Sequence, residues 1–202
     1  MKSKKKITKK KRVRTRKRKG KNRKKHQEKQ FLIDILLATS CTIFLFIIIL
    51  SFFISIQTFN GISMKPTIEN KEKLLVSKHN KTINRFDIIG FNIGKKQEFR
   101  RVIGLPGERI RFKDDYLYVN EEVVDEKFLI DQINEYNKVG EIFTQSNQGE
   151  NGFQVLSIPD DYYLVLGDNR PDATDSRHYG LIAKKQIKGV AIYTLDTFKK
   201  LD

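Results

Sequence analysis

Residues 35 to 56 read I-L-L-A-T-S-C-T-I-F-L-F-I-I-I-L-S-F-F-I-S-I, 22 consecutive positions without a charge. Nothing else limits the chain so strongly. As a helix, about 20 such residues cross a ~30 Å hydrocarbon core. The hydroxyls of Thr39, Ser40, Thr42, Ser51 and Ser55 can return to carbonyls one turn back, so they do not interrupt the span. A buried helix of a soluble domain rarely stays uncharged for so long. A cleavable secretory signal has a shorter apolar region, a shorter basic region and a small-x-small site, which is missing here. The run is read as a retained anchor occupying residues 31–59.

The flanks orient it. Residues 1–30 hold 18 of the 40 Lys/Arg and one of the 24 acids, Glu28, which leaves 22 bases against 23 acids in the rest. The high net charge therefore belongs to a tail. Such an arm can bind nucleic acid or anionic lipid without reading sequence, and with so few apolar residues it is expected to be disordered. The positive-inside rule sets it in the cytoplasm, against anionic headgroups, and everything from residue 60 outside. No specific nucleic acid is expected; a membrane-tethered nucleic-acid binder rests on the tail alone. The single Cys, Cys41, lies in the span, so the outer domain has no disulfide.

Residues 60–202 are long enough for one domain with its own core. Their apolar runs are short and strand-like: L-L-V near Leu74, F-D-I-I-G-F from Phe86, R-V-I-G from Arg101, R-I-R-F from Arg109 and Y-L-Y-V from Tyr116. E-V-V-D from Glu122, F-Q-V-L-S-I from Phe153, Y-Y-L-V-L from Tyr162 and I-K-G-V-A-I-Y from Ile187 follow. Alternation in Y-L-Y-V-N-E-E-V-V predicts a hairpin turning at Asn120 and Glu121. Pro106 and Gly107 occupy the positions a type II turn prefers. Helical spacing is weak and confined to Asp131–Lys138. A mostly β, antiparallel domain is expected, with an irregular, variable insertion at 127–152.

Three segments hold more polar specificity than folding requires: G-I-S-M-K-P-T at 61–67, F-R-R-V-I-G-L-P-G-E at 99–108 and G-D-N-R-P-D-A-T-D-S-R at 167–177. A serine nucleophile needs a base within hydrogen-bond reach and donors for an oxyanion. His26, His79 and His178 leave no metal set, so neither a metal nor another cofactor is expected; composition leaves a Ser-His-Asp triad through His178 or His79 open, but no G-x-S-x-G elbow supports it.

These segments resemble the boxes of type I signal peptidases (peptidase family S26, bacterial leader peptidase-like). Ser63-Met64-Lys65-Pro66-Thr67 matches S-M-x-P-T, Arg101 to Glu108 matches R-V-x-G-x-P-G-[DE], and Gly167-Asp168-Asn169-Arg170 with Asp175-Ser176-Arg177 matches G-D-N-R…D-S-R. The resemblance spans roughly residues 31–202 and implies a signal-peptidase-type β domain behind one transmembrane helix. It implies a membrane-bound serine endopeptidase that removes signal peptides from exported preproteins after small-x-small (Ala-x-Ala) sites. By the match, Ser63 is the nucleophile, the Ser63 backbone with Gly61 serves the oxyanion, and Ile62, Met64, Ile68 and Phe99 lie near the substrate pockets. Arg101 with Asp168, and Asp175 with Arg177, would form supporting ion pairs beside Ser176.

Two positions depart from the pattern. The resemblance places a general-base lysine immediately before Arg101, where this chain has Arg100, and a lysine-orienting serine where it has Ala173. A guanidinium stays protonated at physiological pH and is a poor proton acceptor. A catalytically impaired homologue acting as an accessory factor for exported surface (pilus-type) proteins is therefore the alternative. Lys65, Lys95 and Lys96 are the nearby amines that could substitute.

Overall fold

Strand-forming runs separated by turn residues fold here into two antiparallel sheets. The structure is a computed structural model. It describes residues 2–79, 82–145, 154–155 and 157–201, with the side chains of the first helix from Gln27 onward. Two units make up the chain, Met1–Ser51 and Phe52–Asp202.

The first unit is helical. α1 runs over Lys2–Phe53. Composition suggests disorder for residues 1–30, but the backbone of residues 2–30 continues the helix of the apolar segment. Lys and Arg are good helix formers, and extending a helix that already exists avoids the cost of nucleation. Gln27–Phe53 is long and apolar enough to cross a membrane, and every side chain along it is exposed. The helix stops short of the span drawn from the sequence. Ile54–Thr58, in which β-branched residues alternate with polar ones, forms strand β1 instead and pairs with Lys73–Ser77 (β2).

The remaining strands are β3 (Ile88–Ile93), β4 (Lys96–Gly104), β5 (Ile110–Lys113), β6 (Tyr116–Val119), β7 (Glu122–Val124), β8 (Gln154–Val155), β9 (Tyr162–Leu166), β10 (Ile182–Ala183) and β11 (Ile187–Thr194). The larger sheet has the order β1-β2-β11-β3-β4-β9-β10 and the smaller one β7-β6-β5-β8. All their pairings are antiparallel, as the sequence suggested. The β6–β7 hairpin turns at Asn120 and Glu121, both at positive φ, which suits a tight turn matching the strand twist. Gly107 takes φ +83 in the 105–108 turn, closed by Glu108 N–H donating to Leu105 O at 3.2 Å. The 127–152 segment is more regular than expected: Lys127–Leu129 is a 3₁₀ turn and Ile130–Lys138 forms α2. Its residues 146–152 lie outside the described residues.

Phe59, Met64, Ile68, Leu74, Val76, Ile88, Phe99, Ala191 and Leu201 form one core cluster. β4 separates this cluster from the cleft described next. Its Phe99 points into the core opposite Gly90, where any Cβ would lie 2.8 Å from the Phe99 ring.

Candidate active site

Ser63 sits in the loop between β1 and β2, held by its neighbours on both sides. Met64 and Ile68 are fully buried in the core cluster, and Ile68 N–H donates to Met64 O at 2.9 Å in a single helical turn. With these two anchored, Ser63 lines a cleft and is itself nearly buried, 9% exposed. From the opposite side, Asn169 N–H donates to Ser63 O (3.1 Å) and Asn169 Nδ2 to Ile62 O (3.2 Å). The approach is close because residue 167 is glycine: a Cβ there would stand 2.5 Å from Ser63 O and 2.3 Å from Ala173 Cβ. Among the described residues, neither the Ser63 hydroxyl nor its N–H makes a hydrogen bond. Gly61 differs. At φ +124 its N–H points to Asn70 Oδ1 (2.9 Å) and is already engaged.

Two ion pairs lie behind this loop. Arg101 meets Asp168 through Nε–Oδ1 (2.9 Å) and Nη2–Oδ2 (2.6 Å), and donates to Phe86 O (3.0 Å). Asp175 receives Arg177 Nε and Nη2, both at 2.8 Å, and also Gly167 N–H at 3.0 Å. Asp175 caps the short helix α3 (Ser176–Tyr179), and the Ser176 hydroxyl accepts from Val165 N–H at 3.0 Å, tying α3 to β9.

Beside Ser63 opens a cleft of about 400 Å³. The serine loop contributes Asn60, Gly61 and Ile62; Ile93 and the β4 residues Lys96, Glu98 and Arg100 form one wall; Asp172, Thr174 and Tyr179 form the other. Arg100 is 3% exposed. Its Nε and Nη2 donate to Thr174 O (3.1 and 2.8 Å), and Nη1 donates to Phe99 O (2.5 Å) and pairs with Glu98 (3.1 Å). The guanidinium thus cross-links β4 to the 172–175 loop, with every nitrogen acting as a donor. Ala173 is buried against Gly167, one residue from the Thr174 carbonyl that Arg100 holds.

Residues 32–195 match the family described as Signal peptidase, peptidase S26. Signal peptidase I V of Bacillus subtilis (strain 168) is 42% identical over 64% of this chain and 79% of its own length. Signal peptidase I of Bacillus amyloliquefaciens is 31% identical over 88% and 95%. The chain belongs to the signal peptidase I family. A crystal structure of a signal peptidase I from Enterococcus faecalis V583 is 35% identical in sequence, covering 55% of this chain and 97% of that one, with a TM-score of 0.49.

Signal peptidase I is a serine endopeptidase, and here the residues drawn from its sequence boxes do not all reach the cleft. Ser63, Ile62, Gly61 and Arg100 line it. Met64, Ile68 and Phe99 are buried in the core on the other side of the loop and strand. Arg101, Asp168, Asp175, Ser176 and Arg177 act from behind, through the bonds above. Of the amines that could substitute for a base, Lys65 pairs with Glu69 at 2.9 Å and Lys96 with Glu98 at 2.5 Å. Lys96 opens β4 and lines the cleft.

Sequence reasoning missed the buried pair of Arg170 and Glu126, which also engages Thr144 Oγ1 at 2.9 Å and Gly167 O at 3.0 Å. Burial lowers the Arg170 pKa, but the Glu126 carboxylate, helped by Asp168 and Asp175, raises it further, and the net shift is upward. Tyr179 was missed too. Its hydroxyl is buried without a hydrogen-bond partner among the described residues, and burial pushes its pKa up. A polar residue in the D-S-R-H-Y-G run was the only available signal for it.

Proposed function

We propose that the chain removes signal peptides from exported preproteins after small-x-small sites, with Ser63 as nucleophile, and that Arg100 makes this cleavage slow. Family membership supplies the reaction. What carries the rest is the cleft beside Ser63, whose base position is filled by an arginine with its nitrogens committed to Thr174 O, Phe99 O and Glu98. For Ser63 to attack a carbonyl its proton must leave, and a guanidinium, already protonated at neutral pH, cannot take it. The Ser63 N–H, unbonded among the described residues, is the donor available to the oxyanion. The apolar helix serves as the anchor, with the basic tail in the cytoplasm on anionic headgroups and residues 60–202 outside.

The deciding experiment compares the wild type with Ser63→Ala, Arg100→Lys and Arg100→Lys/Ala173→Ser on a preprotein carrying an Ala-x-Ala site. Wild-type cleavage should be low and lost in Ser63→Ala. The double variant should gain on the order of 10²-fold, the usual contribution of a positioned base. Efficient wild-type cleavage that Ser63→Ala abolishes would refute the role given to Arg100.

The commitment of Arg100 also favours a second reading, a non-cleaving homologue that binds exported surface proteins as an accessory factor. It predicts preprotein binding with no Ser63-dependent cleavage even after prolonged incubation. Protease added outside intact cells tests the orientation: residues 60 onward should be digested and the tail protected.

A further inference from the structure

We propose that Asp115 is a positioning residue for Ser63: from a turn of the smaller sheet it sets the nucleophile loop through Thr144 and Arg170. The inference rests on reading Ser63 as the nucleophile, and it gives the 127–152 segment a part in that same site.

Asp114 and Asp115 form the tight turn between β5 and β6, where Lys113 pairs with Tyr116. Both take positive φ, +51 and +63. Glycine is the favoured second residue of such a turn. Here that place holds an aspartate only 8% exposed, whose carboxylate reaches across to the 127–152 segment. Its Oδ1 accepts from Thr144 N–H at 2.6 Å and its Oδ2 from Phe143 N–H at 3.0 Å. Asp114 beside it is exposed and makes no hydrogen bond among the described residues. The turn therefore keeps a side chain at a position that glycine suits better, and that side chain is engaged.

Successive amides on one carboxylate fix the backbone, and the charge strengthens both bonds. The Thr144 hydroxyl is thereby aimed at Arg170, whose Nη1 donates to Oγ1 at 2.9 Å. Arg170 is 1% exposed, so no bulk water can replace a partner that shifts away. Its remaining bonds go to Glu126 and to Gly167 O, the latter at 3.0 Å. Gly167 leaves no slack at the far end: a Cβ there would stand 2.5 Å from Ser63 O. From the other side Arg177 donates to Gln145 O at 3.0 Å and to Arg170 O at 2.6 Å. Residues 143–145 are thus clamped between the β5–β6 turn and the loop behind Ser63. In so closely packed an interior a displacement of Thr144 passes to Gly167 and on to the Ser63 backbone.

The test uses the full-length protein in phospholipid nanodiscs and two measurements. One is the Ser63 amide resonance of serine-labelled protein, assigned by its loss in Ser63→Ala. The other is Ser63-dependent cleavage of a preprotein with an Ala-x-Ala site. Asp115→Gly suits the turn but removes the carboxylate; Thr144→Val keeps the bulk and the bonds to Asp115 but removes the hydroxyl. Each should shift the Ser63 amide and slow cleavage about tenfold, with the loss falling on kcat more than on KM, as a displaced nucleophile requires. Thr144→Ser, which keeps the hydroxyl, and Asp114→Gly, which alters only the turn, should do neither. Combining Asp115→Gly with Thr144→Val should be no worse than the slower single variant, because both break one chain. Should Asp115→Gly fail to fold, Thr144→Val decides alone. An unmoved amide, an unchanged kcat, or effects that multiply in the double variant overturns the proposal. Cleavage that persists in Ser63→Ala, or none in the wild type, removes the nucleophile reading and the proposal with it. Ser63-dependent cleavage that the Asp115 and Thr144 variants leave untouched removes the proposal alone.

Discussion

Asp168 meets Arg101 edge to edge, Oδ1 to Nε at 2.9 Å and Oδ2 to Nη2 at 2.6 Å, with the two side chains 0% and 1% exposed. This is the bidentate geometry that suits Arg to buried carboxylates. It joins the end of β9 to β4, one residue after the glycine that touches Ser63 O. Arg101 also stacks on Phe128, with Cζ 3.9 Å from the ring centroid. The pair therefore sets the distance between the nucleophile loop and the wall carrying Arg100.

Removing one member should leave an uncompensated buried charge. Asp168→Ala is expected to cost about 3–5 kcal/mol in denaturant-induced unfolding, and the double variant Arg101→Met/Asp168→Leu clearly less than Asp168→Ala. A loss below 1 kcal/mol for Asp168→Ala would mean that water replaces the pair.

Gly167→Ala probes the contact with the serine loop. Its Cβ would fall 2.5 Å from Ser63 O and 2.3 Å from Ala173 Cβ, so backbone must move. Destabilisation of about 1–3 kcal/mol is expected, together with weaker peptide binding. Gly107→Ala is the control: it too is strained, at φ +83, but open space surrounds the position. It should lower the melting temperature and leave binding unchanged. Equal binding by both variants would show that the Gly167 contact does not position Ser63.

The fold was legible in the sequence because strand alternation and turn residues act locally. Val119–Asn120–Glu121–Glu122 turns as its residues dictate, and Tyr162–Leu166 pairs as an apolar run should. The end of the anchor was not legible, since Ile54 and Ile56 satisfy a hydrophobic span and a strand equally well; only pairing with β2 decides. The ion pairs at Asp168 and Asp175 followed from the resemblance. Glu126 and Arg170 are 44 residues apart in sequence, and nothing local tells a buried pair from two solvated charges. The same holds for Glu98: between Gln97 and Phe99 it reads as surface, yet its side chain lines the cleft.

That hidden pair has a measurable consequence. Glu126 and Arg170 have side chains 2% and 0% exposed, and Arg170 also reaches Gly167 O at 3.0 Å. Glu126→Ala should cost about 3–5 kcal/mol. Because Arg170 supports the loop behind Ser63, the same variant should weaken peptide binding, measured by anisotropy on the Ser63→Ala background. Loss of stability with unchanged binding would confine the pair to a structural role.

Tyr179 gives the pH dependence. Burial raises its hydroxyl pKa above the ordinary 10.0; Arg100 and Arg177 oppose this, and Asp175 and Glu98 add to it. Above pH 10 the unfolded chain releases this proton while the folded chain keeps it. The unfolded state then binds fewer protons, so stability is fully present below pH 10 and falls as pH rises through the folded value. One such group contributes a slope of about 1.4 kcal/mol per pH unit. Tyr179→Phe removes this component and keeps the ring contact with Phe91, whose centroid lies 6.3 Å away. Because the hydroxyl has no partner, the variant should be as stable as wild type at pH 7 or slightly more so. The difference between the two unfolding free energies should be flat up to about pH 9, then shift in favour of the variant as pH rises. Parallel curves from pH 7 to 11 would show that the hydroxyl is hydrated in the folded protein and titrates normally.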